Sequence, residues 1–235
     1  WGWREIIDLH LVRGQPAEAE TAARRALVAL PESAPLLGLL AESLRRQGRH
    51  SEALGPVSSA LDKAPDVPQL HALKAEILAE QGDHATALPH ARRAVALDAS
   101  PEYQALLAQV LVAAGELDEG GALAQRLIAA PAPLSPVFEL QAVLAERRGD
   151  ITAAITWCDR ALNGPYPGEV RLMVRRARLG LQQGESAATD RLIPLLDLGV
   201  ALPWRDLSQL FAQADRPVLA RRAACRFAAA HGADL

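Results

Sequence analysis

The stretch Ala79-Glu80-Gln81-Gly82-Asp83-His84-Ala85-Thr86-Ala87 decides the fold, because its glycine recurs along the chain at a nearly fixed interval. Glycines stand at Gly14, Gly48, Gly82, Gly115, Gly149 and Gly184, separated by 34, 34, 33, 34 and 35 residues. Each is followed by a polar residue, in turn Gln15, Arg49, Asp83, Glu116, Asp150 and Glu185. A helix commonly ends in a left-handed residue, which glycine adopts without a Cβ penalty. One helix-ending turn is therefore written six times. Five residues after each glycine come Ala19, Ala53, Ala87, Gly120, Ala154 and Thr189, and twelve after come Ala26, Ala60, Ala94, Leu127, Ala161 and Leu196. Small residues at these places let two helices approach closely. Prolines follow at Pro31, Pro65, Pro101, Pro131/Pro133, Pro165/Pro167 and Pro203, where they punctuate each period because proline cannot continue a helix.

Between these marks lie two apolar-periodic stretches of about 12 to 14 residues, the length of ordinary helices. A seventh period lacks the glycine. Asp215 takes its place, with Trp204 eleven residues before and Ala220 five after. Trp3 fills the same aromatic place before Gly14, and Phe138 fills it before Gly149.

Composition agrees with this pattern. The 235 residues include 47 Ala and 38 Leu, and aromatics are only 4%. Alanine and leucine favour helices, whereas β-branched and aromatic residues favour strands, so a sheet-based fold is disfavoured. No run of about 18 or more apolar residues marks a membrane-spanning helix. Two cysteines, Cys158 and Cys225, make neither a disulfide framework nor a zinc set. A net charge of −3 argues against a general nucleic-acid binder. The chain opens on Trp1-Gly2-Trp3 inside a helical pattern, which reads as a piece of a longer protein, with its targeting segment not in view. The compartment stays open between a bacterial cytoplasm and periplasm.

The repeat resembles the tetratricopeptide repeat, a 34-residue helix-turn-helix unit with Trp, Leu-Gly, Tyr, Ala, Phe, Ala and Pro at fixed places. The resemblance runs from about Trp1 to Phe227. The Leu-Gly pair appears as Leu40-Ala41, as Leu107-Ala108 and, in the sixth repeat, as Arg176-Ala177. The sixth repeat, about 170–200, also loses its alanines and has the weakest packing pattern. The resemblance implies an all-α, right-handed superhelical solenoid of about seven units, at 1–33, 34–67, 68–100, 101–134, 135–169, 170–200 and 201–235. The last helix, expected over 218–230, carries Arg221, Arg222 and Arg226 and would serve as a modest cap.

In this family the first helix of each hairpin lines the concave face. The place nine before each glycine reads Glu5, Leu39, Leu73, Leu106, Leu140 and Arg175. The place six before reads Asp8, Glu42, Glu76, Gln109, Val143 and Arg178. The resemblance thus implies a leucine stripe beside a track that is acidic at one end and basic at the other, with Glu80, Glu139 and Glu146 on its acidic part and Arg171 on its basic part. The halves lean the same way. Residues 1–120 hold 11 basic and 17 acidic side chains, and residues 121–235 hold 14 and 11, giving −6 and +3. Such a gradient orients a charged partner more than it tightens binding. The stripe has two readings. It packs against the neighbouring hairpin, or it forms a ladder for a partner segment. Glu42, Glu76 and leucines in the groove, with Asn163 the sole asparagine, argue against a clamp for a peptide's C-terminal carboxylate.

The sequence contains no phosphate loop, no dinucleotide glycine fingerprint, no Gly-x-Ser-x-Gly and no His-Glu-x-x-His. His84 and His90 are six apart, which does not place them on one helical face. His10 and His71 read as half-buried or groove-edge residues. Cys158 and Cys225, nine and ten residues past their turns, read as small buried hydrophobes. Arg148-Gly149-Asp150 spells an adhesion tripeptide but occupies the same turn as Gln81-Gly82-Asp83. The expected function is a scaffold that binds a protein or peptide in its concave groove, without enzymatic activity, cofactor, nucleic acid or membrane insertion. Two alternatives stand beside it. One is a recruitment domain of a larger glycosyltransferase-, sulfotransferase- or peptidase-type enzyme, and the other is self-assembly through the Trp1/Trp3 end.

Overall fold

All six turn glycines are left-handed, with φ between +70° and +94° in a computed structural model that describes residues 2–130, 134–163, 170–197 and 203–231. Asp215, at φ +55°, is the one other left-handed residue among those described, and it stands where the seventh glycine would. Trp1, Pro131, Pro133, Pro165 and Pro167 lie outside the described residues. At all seven turns the next residue's N–H reaches back to a carbonyl in the helix's last turn. Examples are Asp83 to Leu78 at 2.9 Å and Arg216 to Phe211 at 2.9 Å. This is the Schellman closure, and it satisfies carbonyls that a bare helix end would leave open.

The turns carry a direct test. A Cβ at Gly82 would meet nothing within 4 Å, so only backbone strain opposes a side chain there. Gly82→Ala is expected to lower the unfolding free energy by about 1–2 kcal/mol, the cost of a left-handed alanine. Asp215→Gly is expected to stay within about 0.5 kcal/mol of wild type, because relief of strain is offset by the freer unfolded chain. Urea denaturation of both variants measures the contrast. Equal effects would show that the turn's handedness does not decide stability.

Between the turns stand thirteen α-helices and one 3-10 helix among the described residues, and no strand. They fall into two compact units, 1–131 and 132–235. The first unit stacks four hairpins: α1 (Trp3–Val12) with α2 (Pro16–Ala29), α3 (Ala34–Arg46) with α4 (His50–Lys63), α5 (Pro68–Glu80) with α6 (His84–Leu97), and α7 (Pro101–Ala114) with α8 (Leu117–Ile128). Each hairpin packs on the next, α2 on α3, α4 on α5 and α6 on α7. First helices also touch one another, α1 with α3, α3 with α5 and α5 with α7. Proline opens α2, α5 and α7 at the position whose N–H has no helical partner in any case.

The small-residue places form the core. Ala19, Ala53, Ala87, Ala26, Ala60 and Ala94 are all fully buried. Leu36, Leu40, Leu44 and Ile77 fill the space between them. Gly38 shows why size matters, since a Cβ there would come within 2.8 Å of Leu70 Cδ2 and the leucine side chain would have to shift.

The second unit contains α9 (Ser135–Arg147) with α10 (Ile151–Leu162), then α11 (Val170–Gln182) followed by the 3-10 helix Ser186–Asp197, then α12 (Trp204–Gln213) with α13 (Pro217–His231). The sixth repeat departs from the sequence expectation. Its second element is a 3-10 helix rather than an α-helix. Thr189 stands where the other repeats carry alanine or glycine, and it is fully buried with an unpaired hydroxyl among the described residues. Pro194 lies inside the same element. At its close approach to α11, a Cβ on Gly180 would meet Ala188 Cβ at 2.7 Å. Trp204 is buried in the aromatic place, and Phe138 packs on Trp157 with ring centroids 6.2 Å apart. Trp3, in the same place on α1, is 41% exposed.

Candidate functional site

A cleft of about 690 Å³ opens on the first helices of the first unit. Its floor and walls come mainly from α3 and α5, with Arg4 of α1 and Tyr103 of α7 at the sides. Four of the residues expected at the groove meet here: Leu39 and Leu73 on the floor, and Glu42 and Glu76 beside them. The leucines are half-buried, and each packs against the core while presenting a side to the cleft. These two residues are thus part of the core on one side and of the cleft surface on the other.

The other expected groove residues do not join this cleft. Leu106 is half-buried and Gln109 exposed on α7, which contributes only Tyr103. In the second unit Leu140 is 5% exposed and so fills the interior, while Val143 and Arg175 are half-buried. Arg178 lines a separate cleft of about 600 Å³ between α11 and α12, with Val174, Leu181, Asp206 and Gln209.

Arg45 organises the charged wall of the first cleft. Its guanidinium donates to both carboxylate oxygens of Glu42, at 2.8 and 3.1 Å, and to Glu80 at 2.6 Å. Glu76 lies 3.5 Å from Arg45 Nε. Glu42 also accepts from Arg46, which in turn donates to the Leu11 carbonyl at 3.0 Å. Glu80 has a second contact with His50 Nδ1 at 3.2 Å. These distances set the titration of the three groups. Burial works against the charge of Glu42, but hydrogen bonds and charge from Arg45 and Arg46 outweigh it and hold the carboxyl below its ordinary value. Burial likewise opposes the charge on Arg45, yet Glu42, Glu76 and Glu80 together raise its pKa. Glu76 goes the other way. Burial lifts its pKa, Arg45 pulls it back only in part, and Glu42 and Glu80 add to the rise. Tyr103, across the cleft, is also raised, by burial and then by Asp98, Glu102 and Glu76.

The expected charge track is corrected by these partners. Its acidic end is largely spent on Arg45 and Arg46, residues that the slot pattern did not include. At its basic end Arg175 and Arg178 both donate to Glu146, at 2.7 and 2.6 Å. Counting charges in fixed places missed neighbours at i+3 and in the adjacent helix that offset part of them. The sequence reading also missed Gly38 and Ala72, ten residues before their glycines, whose small side chains leave room for the cleft. That signal was present as a column of small residues, Gly38, Ala72 and Ala105.

The remaining chemical candidates resolve simply. His90 pairs with His71 rather than His84, their Nδ1 atoms 3.1 Å apart and their rings stacked. Burial, Lys74 and His71 lower the pKa of His90. Cys158 is fully buried, which pushes its thiol up to about 11. Cys225 is exposed, contrary to expectation, because one residue further along a helix turns the side chain by about 100°. Gly149 is the left-handed turn residue and Asp150 caps α10 by accepting from Ala153 N at 2.9 Å, so the adhesion-like tripeptide is occupied by the turn. Among the described residues no group of three or more His, Cys, Asp or Glu is placed to hold a metal ion. No described helix is long and apolar enough to cross a membrane.

The tetratricopeptide repeat family model matches residues 4–68, 39–105 and 72–136, overlapping windows that together span more than half of the chain. The chain belongs to the tetratricopeptide repeat family. Solved structures extend the likeness. A tetratricopeptide repeat protein of Parabacteroides merdae superposes with a TM-score of 0.67 at 18% identity, covering 99% of this chain and 93% of its own. A thermophilic tetratricopeptide repeat protein of Thermus thermophilus gives 0.66 at 19% identity, covering 77% and 100%. YrrB, a tetratricopeptide repeat protein with an unusual peptide-binding site, gives 0.53 at 18% identity, covering 68% and 84%. At such identities the likeness is one of fold. Among curated proteins none matches by sequence. The first unit thus carries tetratricopeptide hairpins whose first helices form the cleft.

Proposed function

We propose that this tetratricopeptide array is a protein-interaction scaffold that captures a segment of a partner protein in the cleft between α3 and α5. The carrying observation is the cleft itself, with an apolar floor of Leu39 and Leu73 and a charged wall of Glu42, Arg45 and Glu76 on successive first helices. An apolar floor supplies affinity by removing surface from water, and a polar wall supplies direction. The peptide-binding site named for YrrB supports the same use of this fold.

Peptides selected from a random display library for binding to the protein supply the test. The double variant Leu39→Ser/Leu73→Ser is expected to weaken the selected peptides at least tenfold while its circular dichroism retains the helical signal. A benzophenone side chain at Gln69, an exposed cleft residue, should crosslink the same peptides, whereas one at Ser59 on α4 should not. Peptides that bind the double variant unchanged and fail to crosslink from Gln69 would remove the cleft from the function.

A further inference from the structure

The three carboxylates of the cleft wall share one forked cation, and that cation is already committed. Arg45 spends its guanidinium on Glu42, through two hydrogen bonds, and on Glu80, through one. Glu76 stands 3.5 Å from Arg45 Nε, its sole ion-pair partner among the described residues, and beyond the usual length of a charge-assisted hydrogen bond. The other cations of the cleft are also engaged, Arg46 with Glu42 and the Leu11 carbonyl, and Arg4 with Asp8. Glu76 borders the cleft next to Leu73 and Tyr103. Arg45 and Arg46 together offset two of the three charges on Glu42, Glu76 and Glu80, so one negative charge is left over. Glu76, the carboxylate with the longest partner distance, is where it falls.

We infer that the cleft reads a cationic side chain: the captured segment presents a lysine or arginine to Glu76 next to a leucine-sized apolar side chain on Leu39 and Leu73. This rests on the cleft being the binding site. A half-buried carboxylate without a good partner is a site of unmet attraction, because Coulomb interactions strengthen as water is excluded. A bound ammonium or guanidinium supplies the missing partner. An acidic segment is rejected, since it would bring a like charge against Glu76 in a closing cleft.

The free protein carries a measurable trace of this arrangement. Burial first, and then Glu42 and Glu80, raise the pKa of Glu76 against the pull of Arg45. A carboxyl whose folded pKa lies above its unfolded value opposes folding when ionised. Its neutral form is favoured at low pH, and that advantage is lost as pH rises through the folded pKa. Glu76→Gln therefore removes a destabilising charge at pH 7 while keeping the shape. The gain is present above the unfolded glutamate pKa and disappears below it. Binding machinery that holds an uncompensated charge commonly costs stability in this way.

The experiment uses peptides from the random display library that crosslink at Gln69. The selected pool is expected to be enriched in Lys or Arg beside an apolar residue. Replacing that cation by Glu should abolish measurable binding. Glu76→Gln should weaken the cationic peptides at least tenfold, with a denaturation midpoint at pH 7 equal to or above that of wild type. Glu52→Gln, on α4 and paired with Arg49, should leave peptide affinity unchanged. A crosslinked pool free of cations, or one whose affinity survives Glu76→Gln, would overturn this inference alone. A library that yields no crosslinking peptide would overturn the reading of the cleft, and this inference with it.

Discussion

Phe211→Ala is expected to destabilise the second unit by about 3–5 kcal/mol, the range for truncating a fully buried aromatic residue. Phe211 has no exposed surface and lies in a cluster with Ala177, Leu192, Leu196, Trp204, Leu207 and Ala223. That cluster draws on α11, the 3-10 helix, α12 and α13. The 3-10 helix depends on it most, because 3-10 hydrogen-bond geometry is poor and long runs are held by their surroundings. The Phe211 carbonyl also closes the last turn by accepting from Arg216 N at 2.9 Å. Removing the ring opens a cavity in the cluster that Leu192 and Leu196 of the 3-10 helix help to form. Hydrogen exchange should show residues 186–197 losing protection first. Helices α3 to α6 should keep theirs, because repeat arrays are stabilised by neighbour contacts. A loss below about 1 kcal/mol, or unchanged protection over 186–197, would contradict this account.

Arg45→Ala is expected to cost about 2 kcal/mol at pH 7. Breaking an enclosed ion pair by removing one partner costs roughly 3–5 kcal/mol, and the solvent exposure of Glu76 and Glu80 reduces that figure. The sign with pH follows from Glu42, whose folded pKa is lowered by its arginines despite burial. Stability from that pairing is present above the unfolded glutamate pKa and lost as pH falls through the lower folded value. The gap between wild type and variant should therefore be widest near neutrality and close in acid. Adding Glu42→Gln to Arg45→Ala should recover about 1 kcal/mol, because one stranded carboxylate is then neutral. A gap independent of pH would mean that Arg45 acts through the packing of its stem rather than its charge.

Turns, hairpins and small-residue places were legible in the sequence because each has a local cause. A left-handed φ selects glycine, and close helix contact selects alanine, so periodic residues report periodic geometry. Asp215 was legible for the same reason, as a tolerated left-handed residue in the right register. The 3-10 geometry of the sixth repeat was legible only as a loss of pattern at Arg176 and Thr189. The cleft was half legible. Its leucines and glutamates stood in columns, but Arg45 and Tyr103 enter from positions outside those columns. The charge track was legible only before pairing, because ion pairs depend on which side chains meet across neighbouring helices, and a column of letters does not contain that. Cys225 failed by one residue, which on a helix is enough to exchange inside for outside.

The stacking of each helix chiefly on its neighbours has a kinetic consequence. Within each unit the main contacts join helices no more than two apart along the chain, as with α1 and α3 or α5 and α7. Ordering such a contact closes a short loop, so the entropic barrier to forming it is small and the contact order is low. A hairpin leaving the ribosome needs only the one or two helices after it to bury its face. Synthesis from the N-terminus then builds the first unit in chain order, with each completed hairpin serving as the surface on which the next condenses.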